Sequence, residues 1–340
     1  MKKFFFLLIL AGGSVWFYYW YVQGVNLLKQ EAAVPAAPPY FFTTHQSGKE
    51  KSVPKWEVAA LMPTARMAVG AAELGGKIYV VGGVDGLFQS VTTVETFDIV
   101  KNEWSTVAPL PKPLHSPSVE SDGTKLYVFG GFVGIANTPV DSLWIFDPSN
   151  GTWTAGPELG DPIGAAAIAT LDGKFHLMGG QGLGQSTQLH NVFDPKKGEW
   201  SQADSLFSGR DHFAAAALGG KIYAVGGRAG SLVYNLNDVD IYDEQSHNWE
   251  QREPLSAKRS GHGAAVIGNT LYAFGGESAS ETYADLYEYD AKADRWRIGV
   301  PMPTGRHDFG YAVANGRIFT IGGGRRSGFS VSNVVEVFTP

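Results

Sequence analysis

Lys77-Ile78-Tyr79-Val80-Val81-Gly82-Gly83 is a short apolar run closed by a glycine doublet, and Trp56 stands 26 residues before that doublet. The doublet recurs as Gly130-Gly131, Gly179-Gly180, Gly226-Gly227, Gly275-Gly276 and Gly322-Gly323. Trp104, Trp153, Trp200, Trp249 and Trp296 precede these at the same distance of 26 residues. Successive doublets lie 48, 49, 47, 49 and 47 residues apart. Strand-like units repeating near this period mark a propeller, in which each unit buries its faces only against its neighbours. In the first unit, residues 67–74 read as strand a, 77–83 as b and 91–98 as c, with Trp104 on strand d. Asp98, Asp147, Asp194, Asp243 and Asp290 each stand six residues before a tryptophan. They read as turn residues that bond the backbone rather than as acid catalysts.

The ends of the chain specify ring closure. The sixth unit has a (308–314), b (317–323) and c (332–338), and Pro340 follows before any strand d. Lys55-Trp56-Glu57-Val58 is a strand d with no blade before it. The expectation is an all-β, six-bladed propeller over residues 55–340, its N-terminal strand completing the last blade and hiding two sheet edges.

Composition bounds the function. Aromatic residues make up 13% and charged residues 18%, a folded β-rich profile. A net charge of −6 argues against a nucleic-acid partner, which needs a basic stripe. Without cysteine there is no disulfide, thiolate metal site, thiol nucleophile or lipid-modified cysteine. Lys2 and Lys3 precede an apolar run over 4–22, long enough at about 1.5 Å per residue to span roughly 30 Å of hydrocarbon. Residues 1–28 are therefore expected to be a signal anchor or transmembrane helix, with the propeller outside the cytoplasm. Cleavage as a signal peptide near Ala11-Gly12-Gly13, giving a secreted protein, is the alternative. Residues 29–54, with Val34-Pro35-Ala36-Ala37-Pro38-Pro39, read as an extended linker.

The run 77–83, then Phe97-Asp98, then Trp104-Ser105-Thr106-Val107-Ala108-Pro109-Leu110-Pro111, resembles the Kelch repeat over residues 55–340. The resemblance implies a Kelch β-propeller. It leaves activity open, since Kelch propellers include adaptors, carbohydrate-linked enzymes and copper oxidases. The copper oxidases resembling galactose oxidase use a cysteine-crosslinked tyrosine, which this chain cannot make.

Function is sought where the repeats disagree. Sixteen residues before the doublets stand Arg66, Leu114, Ile163, Arg210, Arg259 and Arg306. Four arginines on contiguous blades, joined by Arg228, Arg325 and Arg326 from the b–c loops, suggest a basic arc for an anionic protein segment or glycan. His262 joins that candidate set. The rival reading is that these arginines hydrogen-bond neighbouring blades or loop carbonyls. A sugar mutarotase or epimerase of the sialic-acid type is the alternative function, with His212, His307 and Asp308 as weak acid–base candidates beside Asp211. Strand alternation argues that neither Arg210-Asp211-His212 nor Arg306-His307-Asp308 can converge wholly on one ligand. His115 is the blade 2 counterpart of His307, and His176 takes the place of a strand b aromatic. No cofactor and no metal site is expected, a His212, His262 and His307 site being disfavoured by their different heights. Phe88, Phe132, Tyr234 and Phe329 are candidates for exposed aromatics on the b–c loops.

Overall fold

The computed structural model describes residues 53–340. The anchor expected over 1–28 and nearly all of the linker over 29–54 lie outside the described residues. Within them, no helix is long and apolar enough to cross a membrane. The chain forms six four-stranded antiparallel sheets. Blade 1 contains Gly70–Leu74, Lys77–Val81, Val94–Asp98 and Glu103–Thr106 as strands a to d. In blade 1 strands a and b are shorter than the sequence pattern suggests, because positive-φ residues bound them: Ala68 before strand a and Gly82-Gly83 after strand b.

Blade 6 is completed by Lys55–Val58, which pairs antiparallel with Val335–Thr339, Trp56 opposite Phe338. The N-terminal strand thus closes the ring. The apolar core lies between blades. At the closure seam, Ile78, Val80 and Phe97 of blade 1 pack against Phe319, Ile321 and Val335 of blade 6.

Three concentric circles of hydrogen bonds join the blades. Outermost, each tryptophan Nε1–H donates to the carbonyl four residues beyond the preceding tryptophan. Trp104 reaches Ala60, Trp153 Ala108 and Trp56 Val300, at 2.8–2.9 Å. Trp200, Trp249 and Trp296 continue the circle to Pro157, Asp204 and Glu253. In the middle circle the second glycine of each doublet donates its N–H to the next blade. Gly83 bonds Leu114, Gly131 bonds Ile163, Gly180 bonds Arg210, Gly227 bonds Arg259, Gly276 bonds Arg306 and Gly323 bonds Arg66, all at 2.8–2.9 Å. Two side-chain-free residues are required here. A Cβ on Gly82 would lie 2.4 Å from the Leu114 oxygen, and one on Gly83 2.7 Å from the Met67 oxygen.

The innermost circle surrounds the axis. Ser116 donates to Ala68, Ala165 to Ser116, His212 to Ala165, Gly261 to His212, Asp308 to Gly261 and Ala68 to Asp308, at 2.7–3.0 Å. All six residues have φ between 47° and 61°. The five aspartates before the c–d turns cap those turns as expected, Asp98 Oδ1 accepting the N–H groups of Val100 and Lys101.

Deleting residues 54–61 should therefore bare a sheet edge along Val335–Thr339 and break the closing tryptophan bond. The lost pairing and aromatic burial are together worth upwards of about 5 kcal/mol. Thermal unfolding and size-exclusion chromatography should show a much lower melting temperature or aggregation, and an unchanged melting temperature would contradict the closure.

Candidate functional site

The four arginines preceding the doublets face inward. Arg66, Arg210, Arg259 and Arg306 are among the most deeply buried side chains of the protein. Each guanidinium bonds the carbonyl of the first glycine of its own doublet: Gly82, Gly226, Gly275 and Gly322 respectively. Each also pairs with a carboxylate of its own blade: Arg66 with Glu95 at 2.7 Å, Arg210 with Asp240, Arg259 with Asp285 at 3.3 Å and Arg306 with Glu336 at 2.8 Å. They are clamps between strands, and the expectation that they offer guanidinium forks to a ligand is corrected. Burying a guanidinium demands such a partner. Leu114 and Ile163 sit in the core instead, and the Thr187 hydroxyl takes over the bond to the Gly179 carbonyl at 2.9 Å. In blade 3 the lapse is therefore an exchange of one internal fastening for another.

The partners were legible and were missed. Three residues before the aspartate that caps the c–d turn stand Glu95 and Asp240 in blades 1 and 4, but Trp144 and Asn191 where the arginine is absent. Blade 5 has Tyr287 there and supplies its acid two residues earlier, as Asp285.

His262 is also internal. Its ring packs against Gly226, in the inter-blade slot that Phe213 and Phe309 fill against Gly179 and Gly275. Burial lowers its pKa to about 3. His176 is buried and bonds His190 at 2.9 Å, a pair within blade 3. Phe132 is buried, and Phe88 stacks on Phe329 with ring centroids 3.5 Å apart, so of the four aromatics Tyr234 alone is well exposed.

What remains at the axial mouth, on the side of the d–a and b–c loops, is a polar network over blades 3 to 6. Asp211 accepts from Ser186, from His212 Nδ1 at 2.6 Å, from Arg228 Nε at 3.0 Å and from the Gly230 N–H at 3.0 Å. Arg228 also donates to His212 Nε2 at 3.1 Å, so the ring hydrogen of His212 is on Nδ1. Arg228 lies 3.9 Å from Glu277. His307 Nδ1 lies 3.2 Å from both Glu277 and Asp308, and its Nε2–H donates to the Arg326 carbonyl at 2.9 Å.

As expected, neither triplet, Arg210-Asp211-His212 or Arg306-His307-Asp308, converges as a whole, since Arg210 and Arg306 turn into their blades; within them, however, the adjacent pairs Asp211-His212 and His307-Asp308 do come together. The reason is backbone conformation: His212 and Asp308 have φ of 49° and 47°, outside the β region in which neighbours point apart. Burial pushes the Asp211 carboxyl up, but His212 and Arg228 outweigh it and hold it below the usual carboxylate range. Burial opposes charge on His307, yet Asp308 and Glu277 raise its pKa to about 10. His115, at the same repeat position, is buried between the Ser90 hydroxyl (2.9 Å) and the Asn137 amide oxygen (3.0 Å), and burial lowers it to about 4. Charged neighbours against neutral ones decide the two fates.

Among the described residues, Glu277, His307 and Asp308 are the group that could hold a metal ion, with ligand atoms within 4.8 Å of one another. A proton on His307 Nδ1 already serves both carboxylates, and a metal would have to displace it. Ser186, Asp211 and His212 do not form a nucleophilic triad, because the aspartate lies between the hydroxyl and the imidazole. Three carboxylates face Arg228 and the His307 cation, so the mouth is no basic funnel. The exposed cations of the b–c loops, among the described residues, are Arg325 and Arg326, with Lys112 and Lys258 on the d–a loops.

A family model, the KLHDC2/KLHL20/DRC7 Kelch-repeats domain, matches residues 40–206 and again 165–339. Kelch-like protein 25 of Xenopus tropicalis is 34% identical over 134 residues, 37% of this chain and 23% of that protein. Beta-scruin of Limulus polyphemus is 28% identical over 145 residues, 40% of this chain and 16% of that protein. The match spans less than a quarter of the length of either relative. The solved structure of YjhT superposes with a TM-score of 0.73, covering 84% of this chain and 97% of its own at 17% identity, a likeness of fold.

At about pH 7 His307 should carry hydrogen on both ring nitrogens and His115 on Nε2 alone, which ring nitrogen chemical shifts will show. The pKa of folded His307 lies above its ordinary value of 6.5, so its stabilising contribution is complete below that pH and is lost as pH rises towards about 10. The stability gap between the wild type and His307→Gln, measured by urea unfolding, should narrow across that window. A neutral His307 at pH 7 would contradict the assignment.

Proposed function

The chain belongs to the Kelch-repeat family of the KLHDC2/KLHL20/DRC7 domain, and from that premise we propose that it is a binding module whose partner is a protein held on the b–c loop face. One observation carries this. The loop tips of blades 1 to 4 each present a large apolar residue to solvent: Leu87 (68% exposed), Ile135 (61%), Leu183 (80%) and Val233 with Tyr234 (75% and 65%). Apolar residues aligned along one face mark an interaction site, where scattered ones would need no cause. A groove of about 650 Å³ runs beside Leu183, walled by Asp161, Pro162, Ser205 and Gly209. Blades 5 and 6 add Glu281, Arg325 and Arg326 to the polar side of this rim. An acidic flank on the partner segment suits the two arginines, and this is what is left of the anionic-ligand expectation.

The second reading, a carbohydrate mutarotase or epimerase, rests on the convergence of Asp211-His212 and His307-Asp308 with shifted acid–base groups. It ranks second because those groups bond one another rather than facing an open reactant. Membrane tethering through residues 1–28, with the propeller outside the cytoplasm, rests on the lysines and apolar run of the sequence.

Changing Leu87, Ile135, Leu183 and Val233 together to serine should leave the melting temperature unchanged. It should weaken capture of the partner identified by cross-linking to the wild type, by roughly tenfold per buried residue. Undiminished capture by the quadruple variant would move the site off this face. The full chain should stay with membranes after alkaline carbonate washing and be released by deletion of residues 1–28; release of the intact chain would remove the anchor.

A further inference from the structure

Below the innermost circle of hydrogen bonds a central channel of about 500 Å³ runs between the six a strands towards the a–b turns. This is the end opposite the loop face. Its volume falls within the range of small-molecule sites. The wall is mostly small and apolar: alanines from five blades, with Val266 and Val313 towards the open end. Glu73 and Glu120 are its carboxylates, and no lysine, arginine or histidine lines it.

Glu120 departs from the repeat. Ten residues before the doublets stand Ala72, Ala169, Ala216, Ala265 and Ala312, with Glu120 in blade 2. The fold takes alanine at this position five times over, so packing does not ask for an acid. The Glu120 carboxylate accepts the Ser121 N–H at 3.1 Å and a hydrogen bond from the Thr170 side chain. Glu73, on the adjacent strand of blade 1, accepts the Gly76 N–H at 2.7 Å, and Ser121 Oγ bonds the Glu73 carbonyl at 2.8 Å, tying the two blades together. Neither acid meets a cationic side chain among the residues that line the channel. Glu120 is half-buried in the channel wall, and a carboxylate partly withdrawn from water without a counter-charge favours a ligand that brings one.

We propose that this channel binds a primary alkylammonium ion, its ammonium group on the Glu120 carboxylate and its carbon chain along the alanine-lined wall. The ammonium offers three donors, and the lone pairs left on Glu120 and the Thr170 oxygen can receive them. An anion finds no partner here. Burial raises Glu120 to about 7, so the arriving cation would shift the acid to its charged form and expel a proton. The other titratable groups facing the channel are Glu73 and Tyr311, and burial and the charge of Glu120 hold Tyr311 protonated, up to about 12.

The test is isothermal titration calorimetry on the purified full-length chain, with butane-1,4-diammonium as one probe and Nα-acetyl-lysine methylamide as the other. Binding of the first points to a free diamine and binding of the second to a lysine side chain; either supports the site. At pH 7 the observed heat should change between buffers of different ionisation enthalpy, reporting proton release. Affinity should fall about tenfold per pH unit below about 7. Glu120→Ala, which restores the residue of the other blades, should fold normally by circular dichroism and lose at least about tenfold in affinity at pH 8; Glu120→Gln should do the same. Failure of both probes to bind at millimolar concentration, or equal binding by Glu120→Ala, would overturn the proposal.

Discussion

Neighbouring blades approach one another backbone to backbone at the glycine doublets, closer than any side chain permits, and the rest of the propeller depends on that contact. Gly83 N–H meets the Leu114 carbonyl and, five blades later, Gly323 N–H meets that of Arg66, so the circle has no end. Because the accepting group is a carbonyl, the contact does not depend on the side chain that follows it. Arginine, leucine and isoleucine all serve at that position. Where arginine is present its guanidinium returns to the doublet carbonyl of its own blade, so one residue joins two blades and stiffens one. The tryptophan indoles repeat this stitch at the rim, and their rings lie against a c-strand aromatic, as Trp104 does against Phe97 at 5.1 Å.

The same backbone geometry shapes the chemistry of the mouth. Six left-handed residues close the axial circle, and in blades 4 and 6 two of them are His212 and Asp308. Their side chains are thereby turned towards Asp211 and His307, producing the buried acid–base network. That network satisfies itself, so the surface free to meet a partner is the ring of loop tips above it. The axial circle also separates the two ends of the molecule: a polar, internally bonded mouth on one side and an alanine-walled channel holding Glu120 on the other.

The blade count and the closing strand were legible because glycine and tryptophan are needed for reasons no other residue meets, so their spacing survives in every repeat. The aspartates of the c–d turns were legible for the same local reason. Arg66, Arg210, Arg259 and Arg306 were misplaced because a list of positions gives the height of a residue on a blade, not the direction its side chain takes. Their pairing with Glu95, Asp240, Asp285 and Glu336 joins residues 26 to 30 positions apart across two strands and a loop. His115 and His307 were equivalent in sequence. Their opposite protonation follows from Ser90 and Asn137 around one ring and Glu277 and Asp308 around the other, neighbours supplied largely by distant loops.

The sequence by itself determined six blades, the residues that join them and the strand that locks the ring, because each depends on local conformational needs repeated in phase. Only the tertiary structure decided which charges are internal. Whether a guanidinium faces a ligand or a buried carboxylate depends on what lies within about 3 Å of it, and that is set by the packing of strands far apart in the chain.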